Sequence, residues 1–536
     1  MVGSGPSEAR RDSLKAVWAR RLITWGPILL LIGLLVWTGL RGVDFGYHWD
    51  EQPAQIDPVA WSIRHSTLLP NSYIYPSVNH WLNLIGVLPW LGRALWTGVT
   101  AEEFTAALLI APKSPDYLLV LRSIRIVVAS LAPLWTYLAV LAWRRSRREA
   151  LLAACFLGLS WEIAYHARWV APDAVVMQFG ALTLLFSILA VVRPEQARWR
   201  RLAAVAAALA TGTKYPAGLL ILPVLVASVY TRPGERTLPS GLRVTYEVVL
   251  LFAGTFLLTT PGALLQPREF LRDLGILRTW YGQGHHGYTV DGGIPHLGLM
   301  LEYVGLVLMS PYVPVAAALT LGAIAGTLVI WKESRRLAAV LVLFPVVYVA
   351  YFATQGVMIV RNLLVLAPFL ALLAGRGATE GVMRIPWRVA QRIFAGVVII
   401  AILANGAWLV YAAETIHSRK ADRPVAALST YMGARTDKSF LVSPRVAADL
   451  GRIGKVIPSN ASMAPVRADL VAVYAFEAMP NLEWPANIRG LTVRTFGPLE
   501  ANFDYYPTWE GNDRIVVMTL DRACAAGVDV VEAVCP

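Results

Sequence analysis

The chain has 536 residues, 56% of them hydrophobic and only 15% charged, with a mean hydropathy of +0.52. Soluble chains carry about 25% charged residues, so this composition excludes an ordinary soluble enzyme and points to lipid. The formal net charge of +13 does not mark a nucleic-acid binder either. Its basic residues stand in short clusters between apolar runs, as the positive-inside bias of membrane proteins requires.

Residues 1–21 form a basic segment carrying Arg10, Arg11, Lys15, Arg20 and Arg21, which the bias places in the cytoplasm. The first apolar run, 22–40, has the length of a bilayer span rather than of a signal-peptide core, and no small-residue cleavage site follows it. It reads as an uncleaved first helix. Further runs near 118–142, 150–166, 173–192, 201–214, 216–231, 244–261, 308–331, 337–354, 361–375 and 393–413 bring the expected crossings to eleven. With that count the basic clusters at 144–148, 193–201, 232–243, 332–336 and 376–392 all fall on one side. The expected architecture is an α-helical polytopic membrane protein, with a transmembrane bundle over 22–413. The pair 201–214 and 216–231, parted by Lys214-Tyr215-Pro216, reads as two elements, because one broken helix would put the later basic loops on the wrong side.

Two long loops, 41–117 and 262–307, share the external face. Long loops in a compact protein are usually functional. The first holds an amphipathic stretch, Val78 to Leu95, which with Trp81, Trp90 and Trp96 suits a helix at the headgroup level. From 414 to 536 the composition becomes that of a soluble, extracytoplasmic α/β domain. Its expected strands are Ser439–Ser443, Asp469–Tyr474, Leu491–Thr495 and Arg514–Leu520, with a helix near Pro424–Ala434. Cys524 and Cys535 both lie there, on a side where oxidation is allowed; the sequence leaves open whether they are bonded.

The residues able to do chemistry gather on the external side. Asp50-Glu51 follows the first helix in His48-Trp49-Asp50-Glu51. Two adjacent carboxylates near an interface can hold a proton acceptor, since desolvation and mutual repulsion raise one of them toward working pH; a solvated turn is the plain alternative. Lys214 and Arg361 are lone cations at the outer ends of apolar runs. They run against the positive-inside bias and so call for compensation, either by snorkelling to headgroups or by converging on a phosphate. Asp173 follows Pro172, which is ordinary helix-start chemistry, while Arg168, five residues earlier, can pair with it or hold an anion. His285, His286 and His296 lack any metal-ligand spacing.

Four stretches in this order resemble the C-type membrane glycosyltransferase superfamily, nearest the branch of protein O-mannosyltransferases and lipid A aminoarabinose transferases. They are His48–Glu51 followed by Tyr73-Ile74-Tyr75-Pro76-Ser77, then Arg168–Asp173, Gly212–Pro216, and Arg361–Pro368. Trp49 departs from the small residue or Pro that many relatives carry. The resemblance covers roughly residues 20–415. It implies an inverting transferase that moves a sugar from a polyprenyl-phosphate donor to an extracytoplasmic protein, lipid or glycan hydroxyl, in what is expected to be a bacterial plasma membrane. It implies Asp50 as catalytic base with Glu51 beside it. Arg361, Lys214 and Arg168 would sit at the donor phosphate, supported by Asp173, Tyr75 and His48. Some relatives use a divalent cation and others none, so the metal stays open. A transporter or flippase of a lipid-linked sugar is the alternative. Against it, the charges sit on one face rather than at the midplane, and no inverted repeat is visible.

Overall fold

The computed structural model describes residues 25–43, 51–110, 115–229, 238–284, 288–418, 424–443, 446–447, 455–456, 468–474, 492–496, 515–525 and 534–535. Among the described residues, seven helices are long and apolar enough to cross a membrane: Tyr117–Arg144, Asp173–Val192, Gly241–Thr259, Val313–Glu333, Arg335–Ala353, Val360–Arg384 and Arg388–Ser418. The other four expected crossings are helical but shorter. They are Trp25–Leu40, the pair Arg147–Gly158 and Trp161–His166, Ala197–Thr211, and Tyr215–Val229. Among the described residues, length and composition therefore mark seven of the eleven expected crossings outright. The chain is a polytopic helical membrane protein with a small C-terminal sheet.

Packing within the bundle follows the membrane rule that small residues bring backbones together. The helices Val313–Glu333 and Ala367–Arg384 meet at Gly322, Gly326 and Gly377. A Cβ at Gly326 would lie 2.0 Å from the Leu373 carbonyl oxygen, and one at Gly377 would lie 1.9 Å from that of Gly322. Neither neighbour is a side chain that could swing away. Gly326→Val is expected to force these helices apart and destabilise the protein by about 3 kcal/mol, the upper end of ordinary overpacking, seen as a lower Tm in detergent. Gly254→Val, where nothing lies within 4 Å of the added Cβ, serves as the control and should leave the Tm unchanged.

The two long loops are tied to each other and to the break before Tyr215. Tyr73 donates its backbone N–H to Asp273 Oδ2 (2.6 Å) and its hydroxyl to Gln266 Oε1 (2.5 Å). Its ring lies directly over Gly262, where a Cβ would come within 1.8 Å of the phenol oxygen. Burial, helped by Glu269 and Asp273, pushes the Tyr73 hydroxyl up to about 12, so it remains a donor. Tyr215 Oη donates to the Tyr73 carbonyl oxygen (2.8 Å), and Val78 N–H to that of Gly212 (2.8 Å). The second loop also pins the residues ahead of Arg361. Val290 N–H donates to Gly356 O (3.0 Å), Gly356 N–H to Tyr281 O (2.7 Å) and Met358 N–H to Tyr288 O (2.9 Å).

The C-terminal region contains a five-stranded sheet of β1 (Phe440–Val442), β2 (Lys455–Val456), β3 (Leu470–Tyr474), β4 (Thr492–Phe496) and β5 (Ile515–Thr519), in the order β2-β1-β3-β5-β4. The first three run parallel, and β5 is antiparallel to both its neighbours. Side chains alternate with the strand period of two. Leu470 and Ala472 pack under the helix Pro424–Gly433, while Val471 and Val473 face Leu520 and Ala523. All four expected strands are present within one residue of their expected ends; β2, at two residues, is too short to show a pattern. Cys524 and Cys535 form a disulfide with a Cα–Cα distance of 5.5 Å.

Candidate active site

Lys214 and Arg361 are both presented by interruptions in helical structure. The helix Ala197–Thr211 is capped at Gly212, Lys214 is extended at φ −154°, and Pro216 opens a short 3-10 turn, Tyr215–Leu220. Pro is at home there because the first turn leaves its N–H unused anyway. Arg361 is the second residue of another 3-10 turn, Val360–Leu366, which leads into Ala367–Arg384. Breaks of this kind release side chains that a continuous helix would send into its neighbours.

The two cations meet at Asp173, the first residue of the helix Asp173–Val192. Lys214 Nζ donates to Asp173 Oδ1 (2.6 Å) and also to Asn362 Oδ1, while Arg361 Nε lies 3.6 Å from Asp173 Oδ2. All three charged residues are buried. Asp173 thus does more than start a helix: it is the compensation that the two misplaced cations called for. Lys214 and Arg361 thus bring an ammonium and a guanidinium together in a buried setting, donors that suit an anionic group. Tyr348 Oη donates to the Asn362 carbonyl oxygen (2.8 Å) and fixes the turn.

Lys214 and Arg361 line a cavity of about 660 Å³ whose other walls include Ile74, Tyr75, Leu277, Trp280 and Tyr281. The Tyr75 ring lies 5.9 Å from Lys214 Nζ, within cation–π range. Arg278, on the exposed side of the helix Pro267–Gln283, adds a third cation to the wall. The shape combines an apolar, aromatic space with buried positive charge. That chemistry suits an amphiphile with an anionic group, and the exposed Leu264, Leu265 and Leu271 nearby on the second loop offer a surface for lipid.

Other expected residues fall elsewhere. Arg168 does not join the cation cluster. It is fully buried, donates through Nη1 to Ala164 O and through Nη2 to Thr38 O (2.5 Å each), and stacks on Trp161 at 5.2 Å. Its guanidinium ties the first helix to the segment Trp161–His166, and among the described residues it makes no ion pair. Glu51 is likewise removed from the cavity wall. Its carboxylate accepts from Arg122 Nε (2.9 Å) and Nη2 (2.6 Å) and from the Val170 N–H (2.9 Å), with both side chains buried. It is a bidentate anchor for the segment that Asp50 immediately precedes. Asp50 and His48 lie outside the described residues, as do His285 and His286. His296 Nδ1 donates to the Gln355 carbonyl oxygen (2.9 Å). Among the described residues no three His, Cys, Asp or Glu side chains gather as a metal site would need.

Arg122 was not singled out from the sequence, and Asn362 and Tyr281 stood there only as members of the Arg361–Pro368 stretch and the second long loop. Arg122 left a usable signal, since a charge inside an apolar run is costly and needs a partner. Asn362 and Tyr281 left none, because they become significant only when the turn before Ala367 and the second loop meet.

The fold and cavity together define a polytopic membrane protein with a buried cationic site at one end of its bundle. Residues 114–259, which hold Asp173 and Lys214, match the family model described as dolichyl-phosphate-mannose-protein mannosyltransferase, and over that stretch the chain is similar to this family. Among solved structures, it is similar to ArnT from Cupriavidus metallidurans bound to undecaprenyl phosphate, with 12% identity, 92% of this chain and 98% of that one covered, and a TM-score of 0.49. It is also similar to the oligosaccharyltransferase AglB from Archaeoglobus fulgidus in complex with an inhibitory peptide and a dolichol-phosphate. There the identity is 12%, the coverage 84% and 71%, and the TM-score 0.43. No curated protein matches the chain in sequence.

Arg361→Ala is expected to weaken binding of a polyprenyl phosphate at least tenfold, because a buried charge-assisted contact is worth about 1.5–3 kcal/mol. Arg361→Lys should recover part of this, lacking the fork that meets two phosphate oxygens. Equilibrium binding of a fluorescent polyprenyl phosphate to detergent-purified variants measures it, and unchanged affinity in Arg361→Ala would assign the residue to packing against Asp173 alone.

Proposed function

We propose that the protein is a membrane glycosyltransferase that moves a sugar from a polyprenyl-phosphate-linked donor to an extracytoplasmic hydroxyl with inversion at the anomeric carbon. The observation that carries this reading is the meeting of two buried cations, Lys214 and Arg361, at Asp173 on the wall of a large apolar cavity. The match of residues 114–259 supports it. In this reading the lipid phosphate lies against the two cations and the isoprenoid chain follows the aromatic wall. Asp50 takes the proton of the acceptor hydroxyl as its oxygen attacks the anomeric carbon from the face opposite the phosphate. The bond from the anomeric carbon to the phosphate oxygen breaks, and the electron pair leaves on the phosphate, where fixed positive charge stabilises it.

Incubating the purified protein with a polyprenyl-phosphate sugar and candidate acceptors tests the reaction. Appearance of a glycosylated acceptor with inverted linkage is the expected result. Donor that is bound, moved across vesicles and never cleaved would instead establish a transporter. The reading also places 1–21 in the cytoplasm and 414–536 outside. A cysteine introduced at position 437 should be labelled from outside intact cells and one at position 146 should not.

A further inference from the structure

The helix Val78–Trp96 is built inside out. Ile85, Leu88, Leu95 and Trp96 are exposed, Trp96 by 92%, while Asn79, His80 and Asn83 are buried at 1%, 6% and 0%. An apolar outer face suits the headgroup level of a bilayer, but it leaves the polar face to be satisfied from within the protein. That satisfaction is incomplete. Asn83 Nδ2 donates to the carbonyl oxygen of Gln55 (3.0 Å) and to its Oε1 (3.3 Å). The other amide atoms, Asn83 Oδ1, Gln55 Nε2 and both Oδ1 and Nδ2 of Asn79, find no hydrogen-bond partner among the described residues, and neither does the Ser77 hydroxyl. Buried polar groups are paired in about nine cases in ten. Several orphans on adjoining stretches therefore mark a place where a polar partner belongs.

The chemistry of that partner can be read from the set. Asn79 and Asn83 are one turn apart on the same helix face, with Gln55 against the second. Together they offer unpaired donors and unpaired acceptors and carry no formal charge. Of the ionisable groups nearby, His80 is neutral and Glu51 is paired, while Arg125, buried and interacting with Glu51, is the cation that would prefer an acidic sugar. Burial holds His80 down to about 4, so its imidazole is uncharged at neutral pH, and Glu51 is neutralised by Arg122. A hydroxyl of a sugar ring both donates and accepts, and its neighbour on the ring does the same, which matches alternating amide donors and acceptors. Chain proximity ties the set to the cavity wall. Ala54 and Tyr75 line the cavity, and Gln55 and Ser77 lie one and two residues beyond them in the chain.

Resting on the donor reading above, we propose that Gln55, Asn79 and Asn83 form the subsite that recognises the sugar of the lipid-linked donor, and that it selects an uncharged, hydroxyl-rich sugar. The experiment uses the full chain in nanodiscs with four probes: sugar-free polyprenyl phosphate, and polyprenyl phosphate carrying a neutral hexose, an amino sugar or a uronate. The wild type is expected to turn over the neutral donor best. Asn79→Ala and Asn83→Ala should raise the KM for that donor about tenfold, the loss of one buried hydrogen-bonded contact, while affinity for sugar-free polyprenyl phosphate stays unchanged. Gln55→Ser, which keeps a small polar group, serves should either alanine variant not fold, and the same separation is expected of it. Equal loss for the sugar-free and sugar-bearing lipids would overturn the subsite and make these amides structural. A wild-type preference for the uronate would also overturn it and point to Arg125, whose buried guanidinium has no hydrogen-bond partner among the described residues. Failure of the wild type to bind sugar-free polyprenyl phosphate would remove the donor reading itself.

Discussion

Asp50→Asn is expected to lower turnover by about 10²–10⁴-fold, the span that general-base help is worth, while the donor still binds. The amide keeps the size of the carboxylate and most of its hydrogen bonds but cannot take the proton of the attacking hydroxyl. Chain connectivity makes the experiment sharp. Asp50 is bonded to Glu51, whose carboxylate is clamped by Arg122 and by the Val170 N–H. The segment is therefore anchored through Glu51, so a change at Asp50 leaves that anchor in place. The measurements are turnover with a polyprenyl-phosphate sugar and, separately, affinity for the polyprenyl phosphate. A fully active Asp50→Asn enzyme would remove Asp50 from the mechanism and leave the cationic cavity untouched.

Glu51→Gln is expected to act on stability instead. The Arg122–Glu51 pair is buried at both ends, with side-chain exposures of 1% and 0%. Removing one member of such a pair leaves an uncompensated buried charge and costs about 3–5 kcal/mol, against a total of about 5–15 kcal/mol for a typical domain. The expected result is a marked fall in Tm and in recovered protein, with lost activity following from lost fold. Replacing both partners, as in Glu51→Leu with Arg122→Met, should cost less than either single change, because well-packed apolar groups remove both desolvation penalties. Thermal unfolding of the three variants in one detergent decides it. Equal or greater loss in the double variant would show that the pair holds something beyond its own charges.

These expectations separate the two neighbours, which the sequence shows only as adjacent acids. Arg361 and Lys214 drew attention there because isolated cations at the outer ends of apolar runs are expensive, and that rule depends on sidedness alone. Arg168 was expected to pair with Asp173 or hold an anion, yet the structure gives its charge to carbonyl oxygens of Thr38 and Ala164. Nothing along the chain distinguishes a guanidinium aimed at a cavity from one aimed at a neighbouring backbone, because the difference is set by which helix lies opposite.

The sequence by itself determined the class of this protein. Apolar runs, basic clusters, the change of composition at residue 414 and the short stretches that mark four of the five strands of the C-terminal sheet are local properties. Local signals survive because bilayer thickness and strand pleating impose their periods on every stretch separately. Only the tertiary structure decided that Asp173 neutralises part of the charge of Lys214 and Arg361. It also decided that Glu51 is consumed by Arg122, and that Asn79 and Asn83 turn inward on a helix whose Trp96 faces out. Each of these depends on residues tens to hundreds of positions apart meeting across a packed interface. A buried charge or amide acquires its role from the partner it meets there, and no local period records which partner that is.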